Sequence, residues 1–445
     1  MQSIVQPLHS PKDHFPVPKQ KSWPPKIRAP TIANLCSVLP ITNAEIPPHN
    51  HLPEAWQDDE SIQSIIASWA GLDRHRAFTL SSQSIKEGSS KSFSYHNKAL
   101  QETCHITLTQ DAESIPACGN IATTTNTHLL SDIEVQSFVA DFTTRLPPCT
   151  RGVSKAADPW VFVDLSLPPE RCTPVVRVLG ACFWIWLCII DDLMEGGDES
   201  GDLDACLRVL ANSPFAIGPA RQEAMTPALE VMDAFRNVVR SVRAGDLMLS
   251  ILDDDECVEE GWKLHPWAEV HTCCQALKAE QSFRGRKISM LEWMAQRIIT
   301  ISTRPFMVLF RAQLGLPTDL SMSLASGSEK LGQLQLLLQA VLGLQNDVLG
   351  WEKDHQEQNL LNAIEVLMSG GEHKSRAFHR VINAHNDLMR VYLSLAAEYL
   401  AEIEGPEMVQ ARRYVACMTS CGHAMAKWMM SCGRYIPDGA VLQVA

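Results

Sequence analysis

Between Val175 and Ile190 the chain reads VVRVLGACFWIWLCII, and the next two residues are Asp191 and Asp192. A run this apolar has no stable place on a water-facing surface, so it lies inside a core or a bilayer. It is shorter than the roughly 20 residues that a membrane-spanning helix needs. It also carries Arg177 and stops at two carboxylates. A buried helix whose end reaches polar ground meets all three facts, with no stable membrane insertion.

The rest of the chain after about residue 130 supports a helical surrounding for that helix. Apolar residues recur at helical spacing in 131–146, 220–242, 266–286, 289–302, 329–356, 359–368, 375–403 and 407–435. Pro168-Pro169 is expected to open the apolar helix. Strand signals are sparse in this region, which predicts an all-α domain over 130–445, a single large helical bundle. Residues 1–129 read as a loosely ordered arm, partly disordered, with one helix at 60–72. Within the arm, 81–94 is expected as loop, and 104–111 has the pattern of a short strand.

Charge and cysteine usage narrow the function. With 38 basic and 51 acidic residues the net charge is −13, which argues against nucleic acid as partner. An acidic protein still binds a polyanion when metal ions stand between them. The 14 cysteines include no CxxC pair, so a structural zinc site is not expected. They read as small core residues in a reducing, cytoplasmic setting. The first twenty residues contain no apolar signal core.

Three polar constellations stand out. Asp191 and Glu195 are four apart on a helix and Asp192 and Glu195 three apart, so all three carboxylates share a face. A divalent cation would relieve their repulsion, and oxygen-only ligands suit magnesium. An acidic helix end running into an acidic surface loop is the plainer alternative, and this stretch alone does not choose. A calcium loop is excluded, because Leu203 and Val209 stand where the turn glycine and the last glutamate are needed. Next, Asn346, Gly350 and Asp354 form one stripe where another apolar helix reaches polar residues, with Lys353 beside Asp354. An ordinary helix surface would look the same. Finally, Arg434-Tyr435 follows a helix, and arginine suits a phosphate group.

In this order the three constellations resemble the class I terpene synthases of the microbial, single-domain type. The aspartate-rich motif of that family matches Asp191, Asp192 and Glu195. Its second metal motif, an Asn, a Ser or Thr four later and a Glu eight later, falls on Asn346, Gly350 and Asp354. Its C-terminal pair matches Arg434-Tyr435, with Trp428 six residues earlier. Two departures stand out: Gly350 lacks the hydroxyl, and Asp354 shortens the carboxylate arm. The family's diphosphate-sensing arginine has two candidates, Arg297 by local pattern and Arg304 by spacing.

The resemblance implies a helical fold around a central apolar pocket and magnesium, three ions, held by Asp191, Asp192, Glu195, Asn346, Asp354 and the position of Gly350. It implies a linear prenyl diphosphate as small-molecule substrate, farnesyl diphosphate giving a sesquiterpene, in a monomer or homodimer. Lys353, Arg434 and Arg297 or Arg304 would neutralise the diphosphate, and Tyr435 would hydrogen-bond it. Phe183, Trp186, Phe306 and Trp428 are candidates for facing a carbocation. A chain-elongating prenyltransferase would carry a second DDxxD, and a protonation-initiated cyclase a DxDD; neither motif fits here. A non-catalytic helical isoprenoid-binding protein with a degenerate metal site is the alternative that Gly350 and Asp354 favour.

Overall fold

The structure is a computed structural model. It describes residues 90–109, 132–167, 172–195, 200–210, 226–244, 266–314, 316, 329–404, 407–432, 434–435 and 443–444. The helix expected at 60–72 and Pro168-Pro169 lie outside these residues.

Two strands come first, β1 (Ser90–Asn97) and β2 (Glu102–Thr109), followed by the helices. These are α1 (Asp132–Thr144), α2 (Arg151–Ala157), α3 (Pro159–Ser166), α4 (Pro174–Glu195), α5 (Ser200–Leu210) and α6 (Pro227–Ala244). Then come α7 (Pro266–Gln281), α8 (Met290–Thr300), α9 (Arg304–Gln313), α10 (Glu329–Gln356), α11 (Ala363–Ser369), α12 (Lys374–Glu402) and α13 (Glu407–Ser431), and last β3 (Gln443–Val444). The all-α expectation for the domain is met.

Boundaries shift where local chemistry is stronger than periodicity. Helices α4 and α6 open at Pro174 and Pro227, since proline is tolerated in a first turn that needs no backbone donor. The segment expected as helix from 359 starts only at Ala363, because the Asn362 side chain accepts the Ile364 N–H at 2.9 Å and caps it. At α8, Ser289 and Glu292 form a reciprocal capping box. The stretch expected as loop over 81–94 is corrected at its end: Ser90–Ser94 belong to β1. Alternation of Phe93 and Tyr95 on one face, paired with Ile106 and Cys104 of β2, gives the hairpin a buried side.

Helix α4 is the buried helix its sequence demands: 83% of its most apolar window is buried inside the protein. Its one early charge, Arg177, is satisfied by Asp164 and by the Leu167 carbonyl at 3.1 Å. Helix α10 is central as well, packing on α8, α12 and α13. Its buried glutamines are hydrogen-bonded, Gln335 to the Tyr414 hydroxyl at 2.9 Å and Gln345 to the Gly422 carbonyl at 3.0 Å.

The hairpin packs on α12 and α13. Asn386 of α12 accepts the Thr107 N–H at 2.8 Å and donates to the His105 carbonyl at 3.1 Å. Strand β3 lies antiparallel on the other edge of β1, Phe93 opposite Val444 and Ser94 opposite Gln443.

Candidate active site

Helices α4 and α10 end in polar residues that face one another. Asp191 and Asp192 are in the last turns of α4, and Asp192 stands 4.0 Å from the Lys353 ammonium of α10. Arg434, just beyond α13, closes the gap. Its Nη2 donates to Asp191 Oδ2 at 3.0 Å, its Nη1 pairs with Asp192, and Nη1 also reaches the Cys188 carbonyl at 3.5 Å. The Arg434 side chain is 4% exposed and Asp191 39%, so the guanidinium lies beneath an open carboxylate rim. Burial, reinforced by the Asp191 charge, raises the Asp192 pKa even though Arg434 and Lys353 oppose it. Burial disfavours the Arg434 charge, but the anionic groups around it outweigh that and keep it protonated. Glu195 is the last residue of α4; its side chain is not among those described.

On α10, Asn346 Oδ1 accepts from Arg297 Nη2, and Asn346 Nδ2 lies 3.5 Å from the Tyr435 hydroxyl. Asp354 accepts from Asn362 Nδ2 at 2.8 Å. Lys353 pairs with Glu357 at 2.8 Å as well as facing Asp192. Two glycines permit the close approach. A Cβ on Gly343 would meet Arg297 Cγ at 2.8 Å, and one on Gly350 would meet Tyr435 Cε1 at 3.1 Å.

The two candidate arginines part company at a helix break. Seven apart, Arg297 and Arg304 would share a face of one continuous helix. Ser302 takes a left-handed backbone (φ 58°) between α8 and α9 and turns the chain. Arg297 therefore reaches Asn346, whereas Arg304 forms a two-point ion pair with Glu269 of α7, at 2.5 and 3.0 Å. Only Arg297 joins the other predicted residues.

The four aromatics are buried and in ring contact with other core residues. Phe183 stacks on Trp186 and meets Phe306 edge-on, at 5.6 and 5.3 Å between centroids. Trp428 donates to the Ala157 carbonyl at 2.6 Å and meets Tyr435 edge-on at 5.3 Å. It thus supports Tyr435 from behind. A cavity of about 240 Å³ lies elsewhere, lined by Lys287, Met290, Leu367 and Arg380 among others, and by none of the predicted site residues.

Asp347, absent from the predicted set, is the buried hub of the α10 wall. It accepts from Arg297 Nε at 2.9 Å, from Trp293 Nε1 at 2.7 Å and from the Ala363 N–H at 2.9 Å. Its signal in the sequence was an aspartate inside a helix apolar on every side. Glu280 of α7 was missed too. Burial pushes its carboxyl up to about 7, against the pull of Arg297 and Thr300. Its Oε2 is buried without a hydrogen-bond partner among the described residues.

Asp191 and Asp192 fit a divalent cation: two adjacent carboxylates, one at an open rim, neutralised in this structure by a guanidinium. The α10 stripe does not fit in the same way. Gly350 offers no oxygen, so the stripe brings one ligand position fewer than its motif requires. Among the described residues no three His, Cys, Asp or Glu side chains converge as a ligand cluster.

Residues 182–391 match the family described as terpene synthase family 2, C-terminal metal binding. The match opens inside α4 just ahead of Asp191 and spans the whole of α10. This stretch of the chain is a terpene synthase metal-binding region. Solved structures of terpene synthases share the fold of this one. A single-residue variant of cucumene synthase is 18% identical, covering 66% of this chain and 94% of its own, with a TM-score of 0.50. A 2-methylisoborneol synthase from Streptomyces coelicolor A3(2), solved with Mg2+ and 2-fluoroneryl diphosphate, is 15% identical over 70% and 95%, TM-score 0.52. An α-eudesmol synthase is 14% identical over 66% and 94%, TM-score 0.52. No curated protein matches this chain.

Proposed function

We propose that this terpene synthase ionises and cyclises a linear prenyl diphosphate with the help of magnesium, converting farnesyl diphosphate to a sesquiterpene and releasing diphosphate. The observation that carries the reading is Arg434. It joins both aspartates of α4 in the same place where its neighbour Tyr435 meets Asn346 of α10. Three separated sequence elements thus converge on a charge-dense rim beside an aromatic core.

Breaking the carbon–oxygen bond requires the departing diphosphate to be stabilised. Divalent ions held by Asp191 and Asp192 would supply positive charge there. Arg297, Lys353 and Arg434 present fixed cations around the same volume, and Arg434 has the fork that suits phosphate oxygens. Burial raises the Tyr435 pKa, so its hydroxyl keeps its proton and can donate a hydrogen bond to an anion. Below the rim, Phe183, Trp186 and Phe306 offer apolar faces that exclude water and favour a cation.

The test is incubation of the purified chain with farnesyl diphosphate, with and without magnesium, followed by gas chromatography and mass spectrometry. A hydrocarbon or alcohol formed only with magnesium is expected. No product from geranyl, farnesyl or geranylgeranyl diphosphate would refute the proposal.

A further inference from the structure

Gly350 leaves a gap on the α10 stripe, and Tyr435 fills it. The ring stands where a side chain at 350 would go, Cε1 and Cδ1 being 3.1 and 3.3 Å from the position of a Cβ. Trp428 holds the ring from another side. So seated, the Tyr435 hydroxyl lies 3.5 Å from Asn346 Nδ2. Two oxygens of the stripe accept from the protein's own donors, Asn346 Oδ1 from Arg297 and Asp354 Oδ2 from Asn362. A magnesium ion there would find no ligand at 350, would share these oxygens with the protein's donors, and would sit beside the like charges of Arg297 and Lys353.

We infer that Gly350 and Tyr435 are a fitted pair, and that the α10 wall binds diphosphate directly through the Tyr435 hydroxyl, Arg297 and Lys353 without a divalent ion of its own. Metal is then confined to the Asp191–Asp192 wall. This rests on the function proposed above and specifies how the same site divides its work. Tyr435 acts as the positioned hydroxyl that a side chain at 350 does not supply. The glycine is a requirement of that seat, and adding a hydroxyl there costs the ring its place.

The experiment counts Mn2+ bound to the full chain by electron paramagnetic resonance, with inorganic pyrophosphate present, and measures pyrophosphate affinity at saturating Mn2+. Asp191→Asn is expected to lose bound Mn2+, and Asp354→Asn to leave the number unchanged. Tyr435→Phe, which keeps the ring, and Gly350→Ser, which crowds it, are each expected to weaken pyrophosphate about tenfold with no change in Mn2+ count. Loss of a bound Mn2+ in Asp354→Asn, or an extra one in Gly350→Ser at unchanged pyrophosphate affinity, overturns the inference alone. A wild-type chain that binds neither Mn2+ nor pyrophosphate overturns the proposed function with it.

Discussion

Arg434 donates to Asp191 at 3.0 Å and pairs with Asp192 through its other amino nitrogen. One guanidinium therefore does for the aspartate pair what a cation would do, neutralising two carboxylates that otherwise repel. Removing it exposes that repulsion. Arg434→Gln should lower the thermal midpoint by several degrees, reflecting about 1–3 kcal/mol of lost pairing. Added magnesium should restore the midpoint more in the variant than in the wild type, because it takes over the vacated charge. Product formation should fall by about 10²-fold or more. Thermal scans with and without magnesium check the first point; equal magnesium responses would refute it.

Arg297 and Arg304 should behave differently although both are arginines at one helix break. Arg297→Lys should cut turnover sharply, since an ammonium cannot serve Asp347 and Asn346 together. Arg304→Gln should act through stability by leaving Glu269 unpaired. The double variant with Glu269→Gln should recover part of the loss. Paired kinetic and urea-unfolding measurements decide between these roles.

Asp347 carries a structural duty under the site. It is buried, with an ion pair to Arg297 and hydrogen bonds from Trp293 and Ala363. Asp347→Asn keeps the size but strands the Arg297 charge. A loss of about 3–5 kcal/mol is expected in chemical denaturation, as for other broken buried pairs. A loss below about 1 kcal/mol would show that Glu280 or Asp354 takes over the pairing.

Glu280 predicts a pH dependence. Burial lifts its carboxyl to about 7 in the folded chain, above the value of roughly 4.3 for an unfolded one. The folded state thus binds the proton more tightly. That contribution is complete below about pH 4.3 and is lost as pH rises towards 7. Glu280→Gln stays neutral throughout. Its stability relative to wild type should therefore climb between about pH 4.5 and 7 and then level off, by an amount on the order of 3 kcal/mol. Unfolding curves at several pH values test this, and a difference that ignores pH would sink it.

Much of the site was legible because it sits where apolar helices run into polar residues. Asp191, Asp192 and Asn346 follow long apolar runs, and the structure brings them to one rim with Arg434 and Tyr435. Choosing between Arg297 and Arg304 needed the backbone. Their spacing in sequence suggests one face, and only the left-handed turn at Ser302 separates them. Asp347 was hidden beside a more conspicuous neighbour, since one residue along a helix points about 100° away and meets a different set of partners. The hairpin was half visible. Its second strand alternates, whereas the first begins in a serine-rich stretch that resembles loop until Phe93 and Tyr95 find their cross-strand partners.

The pairing of β3 with β1 bears on how freely Arg434 and Tyr435 can move. In chain order they lie between α13, which ends at Ser431, and β3, which begins at Gln443. A segment fixed only at one side would search a wide volume before meeting Asp191. Holding a chain at two points keeps the local concentration of a group between them high and leaves less chain entropy to lose on engagement. The small sheet on the outside of the bundle thereby sets the reach of two residues at its heart, and a cut in β1 should loosen the rim without touching any residue in it.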